Sequence, residues 1–350
     1  MAAPFPWLNV LDFSAFGDLA IQQAIDSTQA TGGGSIIIPS GRYFINKPIE
    51  ITHDNVTLFG MGPSSIIQNA GNGHSIEISG VAGSHNVSFT KIAQLTLDGG
   101  QQRQPPPFDK RQCGIFSSFV NGLRVEDVVV KNHKGHGFYA EDSLYVNIDG
   151  GHFLSNGRNG IHLDKGKQGT QGVTVGGSFR THLNGGDGIT IAGAGCQGRT
   201  ILAGVSELNN GWGIHIDGGS LDTRVIGMYF ESNTLGEILV SDQADGCSLI
   251  GVITAPGKTL TDSLVIEAAK RVVVMASRFH RPITINAAAQ VMFAMNRADY
   301  PGGGPTLQHP HSAGVATLLF VGLIVPACAG LILAAAIKNF KAPGKPANAH

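Results

Sequence analysis

Apolar and polar positions alternate within a short motif that recurs along the chain. The segment 160–164 reads Gly-Ile-His-Leu-Asp and returns at 213–217 as Gly-Ile-His-Ile-Asp, and looser copies begin at positions 114, 137, 188, 237 and 263. The second and fourth positions are almost always apolar, whereas the third and fifth mostly carry aromatic, histidine, threonine or carboxylate side chains. A period of two predicts a short strand with one buried and one exposed face. The copies are spaced about 23 to 28 residues apart, which indicates a stacked repeat architecture.

An asparagine precedes the motif in successive repeats. These asparagines are Asn132, Asn156, Asn184, Asn209 and Asn233. Asparagine tolerates turn conformations, and stacked side-chain amides can bond to one another along the axis of an in-register stack. One motif strand, one or two further strands and three turns within about 23 residues describe one coil of a single-stranded parallel β-helix, which makes the predicted fold all-β.

The N-terminal 72 residues are predicted to form the cap and the first coils. The segment 18–26 carries apolar residues at spacings of one, four and five, and begins with Asp18 as a candidate N-cap. An amphipathic helix here would close the end of the apolar stack, which repeat proteins need. Short segments rich in isoleucine, bounded by turn residues, predict strands between positions 35 and 59.

The beginning of the chain resembles a known superfamily. Asp-Phe-Ser-Ala-Phe-Gly-Asp at 12–18 and Ile-Ile-Ile-Pro-Ser-Gly-Arg-Tyr at 36–43 resemble the opening of the pectate lyase superfamily, the module of polygalacturonase-like enzymes and phage tail-spike proteins. The resemblance implies a right-handed β-helix, with coils over 73–298. It implies no single reaction, because hydrolases, lyases, epimerases and non-catalytic binders share that fold.

The motifs of polygalacturonase-like hydrolases do not carry over. Gly135-His136-Gly137 matches their Gly-His-Gly, but it comes before every candidate aspartate pair. Gly186-Asp187-Gly188 lacks the second aspartate, and neither Asn-Thr-Asp nor Arg-Ile-Lys occurs. The calcium-and-arginine site of pectate lyases has no clear counterpart either. Polygalacturonase activity is therefore not predicted, and His136 is interpreted as a turn residue.

The composition changes abruptly after the coils. Residues 299–312 are predicted to be a linker, residues 313–337 contain no charged residue, and residues 338–350 form a short polar tail with three lysines. An uncharged stretch of this length predicts a transmembrane α-helix that would bring the lipid bilayer in as a partner. The lysines favour a single-pass protein with its β-helix on the extracytoplasmic side. The first basic residue is Arg42, so no signal peptide is predicted, and a tail anchor with a cytoplasmic β-helix is the alternative.

Charge and cysteine content exclude some functions. The net charge is −1, so we expect no nucleic acid partner. The 49 glycines among 350 residues fit many tight turns. The four cysteines lack metal-binding spacing and are predicted to be free thiols; they are Cys113, Cys196, Cys247 and Cys328. No metal site or cofactor is predicted, with calcium left open.

The candidate chemistry lies on the outward face of the motif strands. Adjacent coils are about 4.8 Å apart, so equal positions form straight rows. The row of fifth positions brings Glu141 next to Asp164, and places Asp217 two coils beyond Asp164. Two neighbouring carboxylates hold unequal proton affinities or share a hard cation. Two carboxylates about 9.6 Å apart sit at the upper edge of the separation that inverting glycoside hydrolysis requires.

Histidines stand on the same face. His162 and His215 could supply an acid or a base near neutral pH. The predicted catalytic residues are therefore Asp164, Asp217, His162, His215 and Glu141. The predicted substrate-binding residues are Tyr139, Lys165, Lys167, Arg103, Arg111 and Asp187, whose four cations would meet sugar carboxylates. The alternative is an ordinary solvated face with solvated loops at 99–112 and 165–170.

Two functional hypotheses follow. The first is a membrane-anchored β-helix protein that binds or acts on polysaccharide, as a lyase or hydrolase that cleaves or modifies an acidic glycan. The second is a non-catalytic scaffold or accessory subunit of a membrane or virion assembly. Leu239 and Val265 face outward in the motif, and exposed apolar residues in a row favour a covered surface and hence the second hypothesis.

Overall fold

The chain winds into a right-handed-type parallel β-solenoid. The computed structural model describes residues 7–13, 16–100, 112–194, 196–257 and 261–300, together with the backbone of strands Thr306–Gln308 and Leu318–Val321. Within these residues each full coil adds one strand to each of three parallel sheets, which we call sheets A, B and C. The predicted all-β parallel β-helix is confirmed.

The three sheets contain similar numbers of strands. Sheet A contains 13 strands: Trp7–Asn9, Gly34–Ile38, Val56–Gly60, Lys91–Ala93, Arg124–Glu126, Asn147–Asp149, Thr174–Gly176, Gln197–Leu202, Leu221–Ile226, Ser248–Ile250, Val272–Met275, Val291–Ala294 and Leu318–Val321. Sheet B contains 11: Gly41–Ile45, Ser65–Asn69, Thr96–Asp98, Val129–Lys131, His152–Leu154, Arg180–His182, Val205–Glu207, Tyr229–Glu231, Ile253–Thr254, Arg278–Phe279 and Arg297–Ala298. Sheet C contains 11: Ile49–Ile51, Ile76–Ser79, Ile115–Ser118, Phe138–Glu141, Ile161–Leu163, Ile189–Ile191, Trp212–Ile216, Gly236–Val240, Leu264–Ile266, Ile283–Asn286 and Thr306–Gln308. Strands Val87–Ser88 and Val120–Asn121 form a small additional pair.

The recurring motif forms the central strands of sheet C. Ile161 pairs with Ile189 and Ile189 with Ile214, so the apolar positions stack in one row, and all three side chains are fully buried. The outward face is less exposed than the alternation predicts: Tyr139 is 4% exposed and Leu239 is 8% exposed. Strands of adjacent coils are about 4.8 Å apart, so outward side chains on neighbouring strands cover one another. The alternation within a single strand does not show this coverage.

A ladder of buried asparagines supports the turn between sheets B and C. The side-chain oxygen of Asn184 accepts from the backbone N–H of Asn156 at 3.1 Å, and that of Asn209 accepts from the N–H of Asn184 at 3.1 Å. The ladder continues to Asn233. Asn132 is not part of it: the ladder position in its coil belongs to His133, whose N–H donates to Asn156.

We expect Asn209→Ala to lower the free energy of unfolding by about 2 kcal/mol, because buried groups on both sides lose a partner. Asn209 accepts from the Asn184 amide at 2.9 Å and donates to the Asn233 oxygen at 2.9 Å, at a position with no solvent exposure. Urea denaturation measures the change. Asn210→Ala, at the exposed neighbouring position, is the control, and equal stability of the two variants would contradict the prediction.

The predicted capping helix is present as helix α1, Asp18–Ser27, which buries Ala20, Ile21, Ala24 and Ile25. Its N-cap is Gly17 rather than Asp18. Gly17 has φ of 58°, and a Cβ there would lie 1.9 Å from the Phe44 carbonyl oxygen, so only glycine fits. Short 3₁₀ turns, Val10–Asp12 and Gln29–Thr31, flank the helix.

The described residues near the C-terminus form strands where a linker and a transmembrane helix were predicted. Strand Thr306–Gln308 lies within the predicted linker, and strand Leu318–Val321, which pairs with Val291–Ala294, lies within the predicted transmembrane helix. An apolar run of this length suits a buried strand as well as a helix, and pairing decides between them. The remaining residues of 313–337 and the tail lie outside the described residues. Among those that are described, no helix is long and apolar enough to cross a membrane.

The cysteine prediction can be checked at three positions. Cys113, Cys196 and Cys247 are buried thiols that form no disulfide, as predicted. Cys328 lies outside the described residues.

Candidate functional site

The outward face of sheet C brings most of the predicted catalytic residues together. Tyr139 pairs in register with His162, His162 with Thr190, and Thr190 with His215. The two histidines therefore stand two coils apart, about 9.6 Å, with Thr190 between them. Their side chains are partly exposed, at 16% for His162 and 24% for His215.

Tyr139 bridges the two neighbouring carboxylates. Its hydroxyl lies 2.7 Å from Glu141 Oε2 and 3.0 Å from Asp164 Oδ2. The hydrogen bond from His162, reinforced by the N–H of Lys165, lowers the pKa of Asp164 to about 2. Burial and the two carboxylates raise the pKa of Tyr139, so its hydroxyl keeps its proton. Tyr139 is therefore a proton donor in the free protein.

His162 presents a proton to the same carboxylate. The Asn159 side-chain oxygen accepts from the backbone N–H of Asp187 at 3.0 Å, which identifies its nitrogen as the group 3.0 Å from His162 Nδ1. An amide nitrogen donates, so His162 Nδ1 accepts, and the proton of the neutral ring lies on Nε2. That nitrogen faces Asp164 Oδ2 at 3.8 Å.

Asp187 is held from several sides. Its Oδ2 accepts from the Thr190 hydroxyl at 2.7 Å, and its Oδ1 accepts from the backbone N–H of Trp212 at 2.7 Å. Burial acts to raise the pKa of Asp187, but the hydrogen bonds from His215, Thr190 and Trp212 bring it below its ordinary value. Asp187 is therefore an ionised acceptor with a set orientation.

His215 has the opposite tautomer to His162. Its Nδ1 lies 3.5 Å from the ionised Asp187 Oδ2, which places the proton on Nδ1. Its Nε2 then carries a lone pair and accepts from the Ser241 hydroxyl at 2.8 Å. Asp217 Oδ1 lies 3.9 Å from the same nitrogen. A base that is oriented by a third group is the arrangement that general-base catalysis uses.

One hydrogen-bonded chain sets both tautomers. The Asn159 nitrogen donates to the Thr190 hydroxyl at 2.7 Å, and that hydroxyl donates onward to Asp187. Two groups of Asp187 fix the direction of these hydrogen bonds. Its backbone N–H donates to the Asn159 oxygen and so orients that amide, and its carboxylate can only accept. The site therefore offers an N–H at His162 and a lone pair at His215.

Side chains just before the motif support this arrangement. His136, Asn159 and Asp187 each accept from the backbone N–H of the corresponding residue in the next coil. Burial lowers the pKa of His136 well below its ordinary value, so its ring is neutral. That ring stacks on His162 with centroids 4.5 Å apart and on Tyr139 at 5.3 Å. His136 is thus a packing and hydrogen-bonding residue, beyond the turn role assigned to it.

The sequence reasoning did not identify Asn159, Thr190 or Ser241. A signal was available for the first, since the position before the motif is polar in successive coils: His136, Asn159 and Asp187. Thr190 and Ser241 carry only a hydroxyl, and only their contacts distinguish them.

The other predicted binding residues are scattered. Lys165 and Lys167 are exposed in the loop after Asp164, and Arg103 and Arg111 lie outside the described residues. Among the residues with described side chains, no group of three or more His, Cys, Asp or Glu side chains is arranged to hold a metal. Glu141 and Asp164 alone do not fit calcium, which takes roughly six to eight oxygen ligands, and the Tyr139 hydroxyl already bridges them.

Comparison with known proteins places the chain in a family. Residues 7–215, more than half of the sequence, match the model of the rhamnogalacturonase A/epimerase, pectate lyase-like family. The chain belongs to this family.

Curated relatives come from Azotobacter vinelandii. Mannuronan C5-epimerase AlgE5 is 26% identical over 252 residues, which cover 61% of this chain and 24% of the relative. Mannuronan C5-epimerase AlgE6 is 31% identical over 152 residues, which cover 37% of this chain and 17% of that protein. Alginate lyase 7 is 28% identical over 179 residues, which cover 45% of this chain and 20% of that protein. The matched region spans a quarter or less of each relative.

Solved structures share the fold. The A-module of mannuronan C-5 epimerase AlgE6 superposes with a TM-score of 0.62 at 19% identity, covering 91% of this chain and all of the module. Tailspike protein 2 of an Escherichia coli O157:H7 bacteriophage superposes with a TM-score of 0.64 at 14% identity, covering 82% of this chain and 42% of that one. At such identities the likeness shows the β-helix fold alone.

Proposed function

We propose that this chain cleaves or modifies an acidic polysaccharide by proton transfer on the outward face of sheet C. The observation that carries the proposal is the pair of opposite tautomers, with a lone pair at His215 Nε2 and an N–H at His162 Nε2. The lone pair can remove a carbon-bound proton, and the His162 N–H can donate a hydrogen bond to the negative charge that develops on the substrate. The Tyr139 hydroxyl is the group that can return a proton.

The reaction class follows from acidity. The proton on the sugar carbon next to a carboxylate is the most acidic carbon-bound proton of a uronate. His215 would remove it, and the electron pair would move into the carboxylate. Return of a proton from the Tyr139 hydroxyl to the opposite face gives the epimer, whereas loss of the oxygen substituent on the neighbouring carbon, protonated by Tyr139, gives an unsaturated sugar end. In either case the N–H of neutral His162 would donate a hydrogen bond to the substrate carboxylate. Relatives named as epimerases and as a lyase support this class.

Inverting hydrolysis has weaker support. That mechanism needs one carboxylic acid that is protonated and one carboxylate. Asp164 has a pKa of about 2 and is ionised, so it cannot be the acid. We assign it instead to holding two hydrogen-bond donors, the Tyr139 hydroxyl and the His162 N–H, in place.

The test is incubation of the full chain with polymannuronate and polyguluronate in deuterated water. Nuclear magnetic resonance would detect deuterium at the acidic carbon, and ultraviolet absorbance would detect unsaturated ends. We expect one of these signals from the wild type and its loss in the Asp164→Asn, Asp217→Asn double variant. Asp149→Asn, an exposed aspartate on sheet A, is the control. The absence of both signals in the wild type would refute the proposal.

The scaffold hypothesis loses its main support. It depended on outward apolar residues, but Leu239 is buried and Val265 is half-buried, so they do not form an open apolar surface. The extracytoplasmic side of a membrane stays a prediction, and it suits a substrate found outside cells. Protease accessibility of the β-helix in intact cells would test it.

A further inference from the structure

The corner between sheets C and A contains one residue with positive φ in each of nine successive coils. On sheet A, Lys91 pairs with Arg124, Arg124 with Asn147, and Asn147 with Thr174. The corner residue of each coil lies two positions before the paired residue of that coil, so the corner residues also form a row. Nine successive members of this corner row have positive φ: Asn55, Phe89, Gly122, Tyr145, Gly172, Gly198, Asp222, Gly246 and Arg271. Glycine, asparagine and aspartate suit this conformation, whereas other side chains pay a steric penalty.

Two aromatic residues occupy the row despite that penalty. Phe89 has φ of 59° and Tyr145 has φ of 54°. Arg271, the remaining bulky member, forms an ion pair with Asp245. Positive φ at a bulky residue is uncommon and directs attention to function.

Each aromatic ring lies against the glycine of the following coil. A Cβ on Gly122 would come within 3.4 Å of Phe89 Cδ1, and a Cβ on Gly172 would come within 3.0 Å of Tyr145 Cδ1. Both side chains are nonetheless largely exposed, at 69% and 67%. One side of each ring therefore packs on the backbone, and the other side is open to solvent.

The spacing of the rings suits a chain of sugars. They are two coils apart, about 9.6 Å along the axis, with only Gly122 between them. The C–H groups of a pyranose carry partial positive charge and pack on the negative face of an aromatic ring. A (1→4)-linked chain with a twofold screw presents the same face at every second sugar, so two rings spaced by about two sugars can bind alternate units.

The neighbouring charges favour an acidic chain. Lys91 and Arg124 stand side by side on sheet A, two positions after Phe89 and Gly122. Both cations contact one carboxylate, Glu126, which with its neighbour Asp149 lies two positions further along the strands from the rings than the cations do. The Arg124 side chain is 61% exposed and can reach a ligand on the strip.

We infer that Phe89 and Tyr145, with Lys91 and Arg124 beside them, form a binding strip for a (1→4)-linked acidic glycan. The strip lies around the corner from the sheet C site, since Tyr145 follows Glu141 by four residues. It would hold a polymer while the site acts on it. Only the choice of ligand rests on the proposed function.

The test is a Phe89→Gly, Tyr145→Gly double variant, measured for both stability and binding. Glycine relieves the positive-φ penalty at two positions, so we expect the melting temperature to rise by a few degrees. The affinity for mannuronate oligosaccharides, measured by calorimetry, is expected to fall about tenfold or more. A stability gain with a loss of binding is the signature of residues retained for a ligand.

Leu183→Gly with Leu208→Gly is the matched control. Both leucines have positive φ and are 44% and 43% exposed, but they lie at a different corner. This variant should become more stable and bind as the wild type does.

A neutral (1→4)-linked glucan oligosaccharide tests the charge selection and should bind more weakly than mannuronate. Equal binding of the two probes would overturn the assignment of an acidic ligand.

The outcomes separate this inference from the proposed function. Asp164→Asn should lose proton exchange and keep oligosaccharide affinity. If the wild type binds oligosaccharide without exchange, the proposed function fails and the strip stands. If the Phe89→Gly, Tyr145→Gly variant binds as tightly as the wild type, or is destabilised, the strip is refuted.

Discussion

Replacing His215 by glutamine should lower the rate of proton exchange at the substrate by about 10²–10⁴-fold, the usual contribution of a general base. The lone pair at Nε2, which accepts from the Ser241 hydroxyl in the free protein, is the basic group that Asp187 orients, and glutamine keeps a polar side chain but has no ring nitrogen that can take up a proton. The measurement is the initial rate of deuterium incorporation at saturating polymannuronate, with circular dichroism to confirm the fold.

His152→Gln is the matched control, because His152 is exposed on sheet B, away from the sheet C site. It should exchange protons at the wild-type rate. If His215→Gln retained a rate within twofold of the wild type, the base would have to be another group. Asp187→Asn should also slow exchange, because a neutral amide no longer sets the tautomer of His215.

Glu237→Gln is expected to stabilise the protein by about 3 kcal/mol above pH 7, taking about 1.4 kcal/mol per pKa unit. Glu237 takes the first position of its motif, where every other copy except the one that begins at Ser263 has glycine, and is 2% exposed. Burial raises its pKa to about 7, although the Asn233 amide donates to it. Glutamine has the same shape and carries no charge to be desolvated.

The sign of the pH dependence follows from that raised pKa. Below about pH 4.5 the carboxyl is protonated in both states, and its contribution is fully present. Between about 4.5 and 7 the unfolded chain releases the proton while the folded protein keeps it, so stability falls as pH rises. Above about 7 the loss is complete.

Urea denaturation of wild type and Glu237→Gln between pH 4 and 8 measures this difference. Groups common to both proteins cancel in the comparison. Glu50→Gln, at an exposed position, should leave the wild-type pH profile unchanged. A constant difference between wild type and Glu237→Gln across this range would show that Glu237 does not titrate as we expect.

The β-helix could be predicted from the chain because its determinants are local and repeated. Isoleucines at the second motif position, such as Ile161 and Ile214, alternate with polar residues within one strand, and the repeat spacing requires strands to stack in parallel. The same register predicted that Glu141, Asp164 and Asp217 would share one row. The helix Asp18–Ser27 was predictable for the same reason, because the apolar positions that form its buried face all lie within 10 consecutive residues.

Pairing and contact decided the rest. An apolar run such as Leu318–Val321 suits a helix or a strand, and pairing with Val291–Ala294 makes it a strand. The tautomer of His162 depends on the Asn159 amide, which the Asp187 N–H of the next coil orients, and the tautomer of His215 depends on Asp187 of the preceding coil. Strand alternation fixes which way a side chain points, because it is a property of one backbone. Proton positions, pKa shifts and burial depend on neighbours from other coils, which only the tertiary structure brings together.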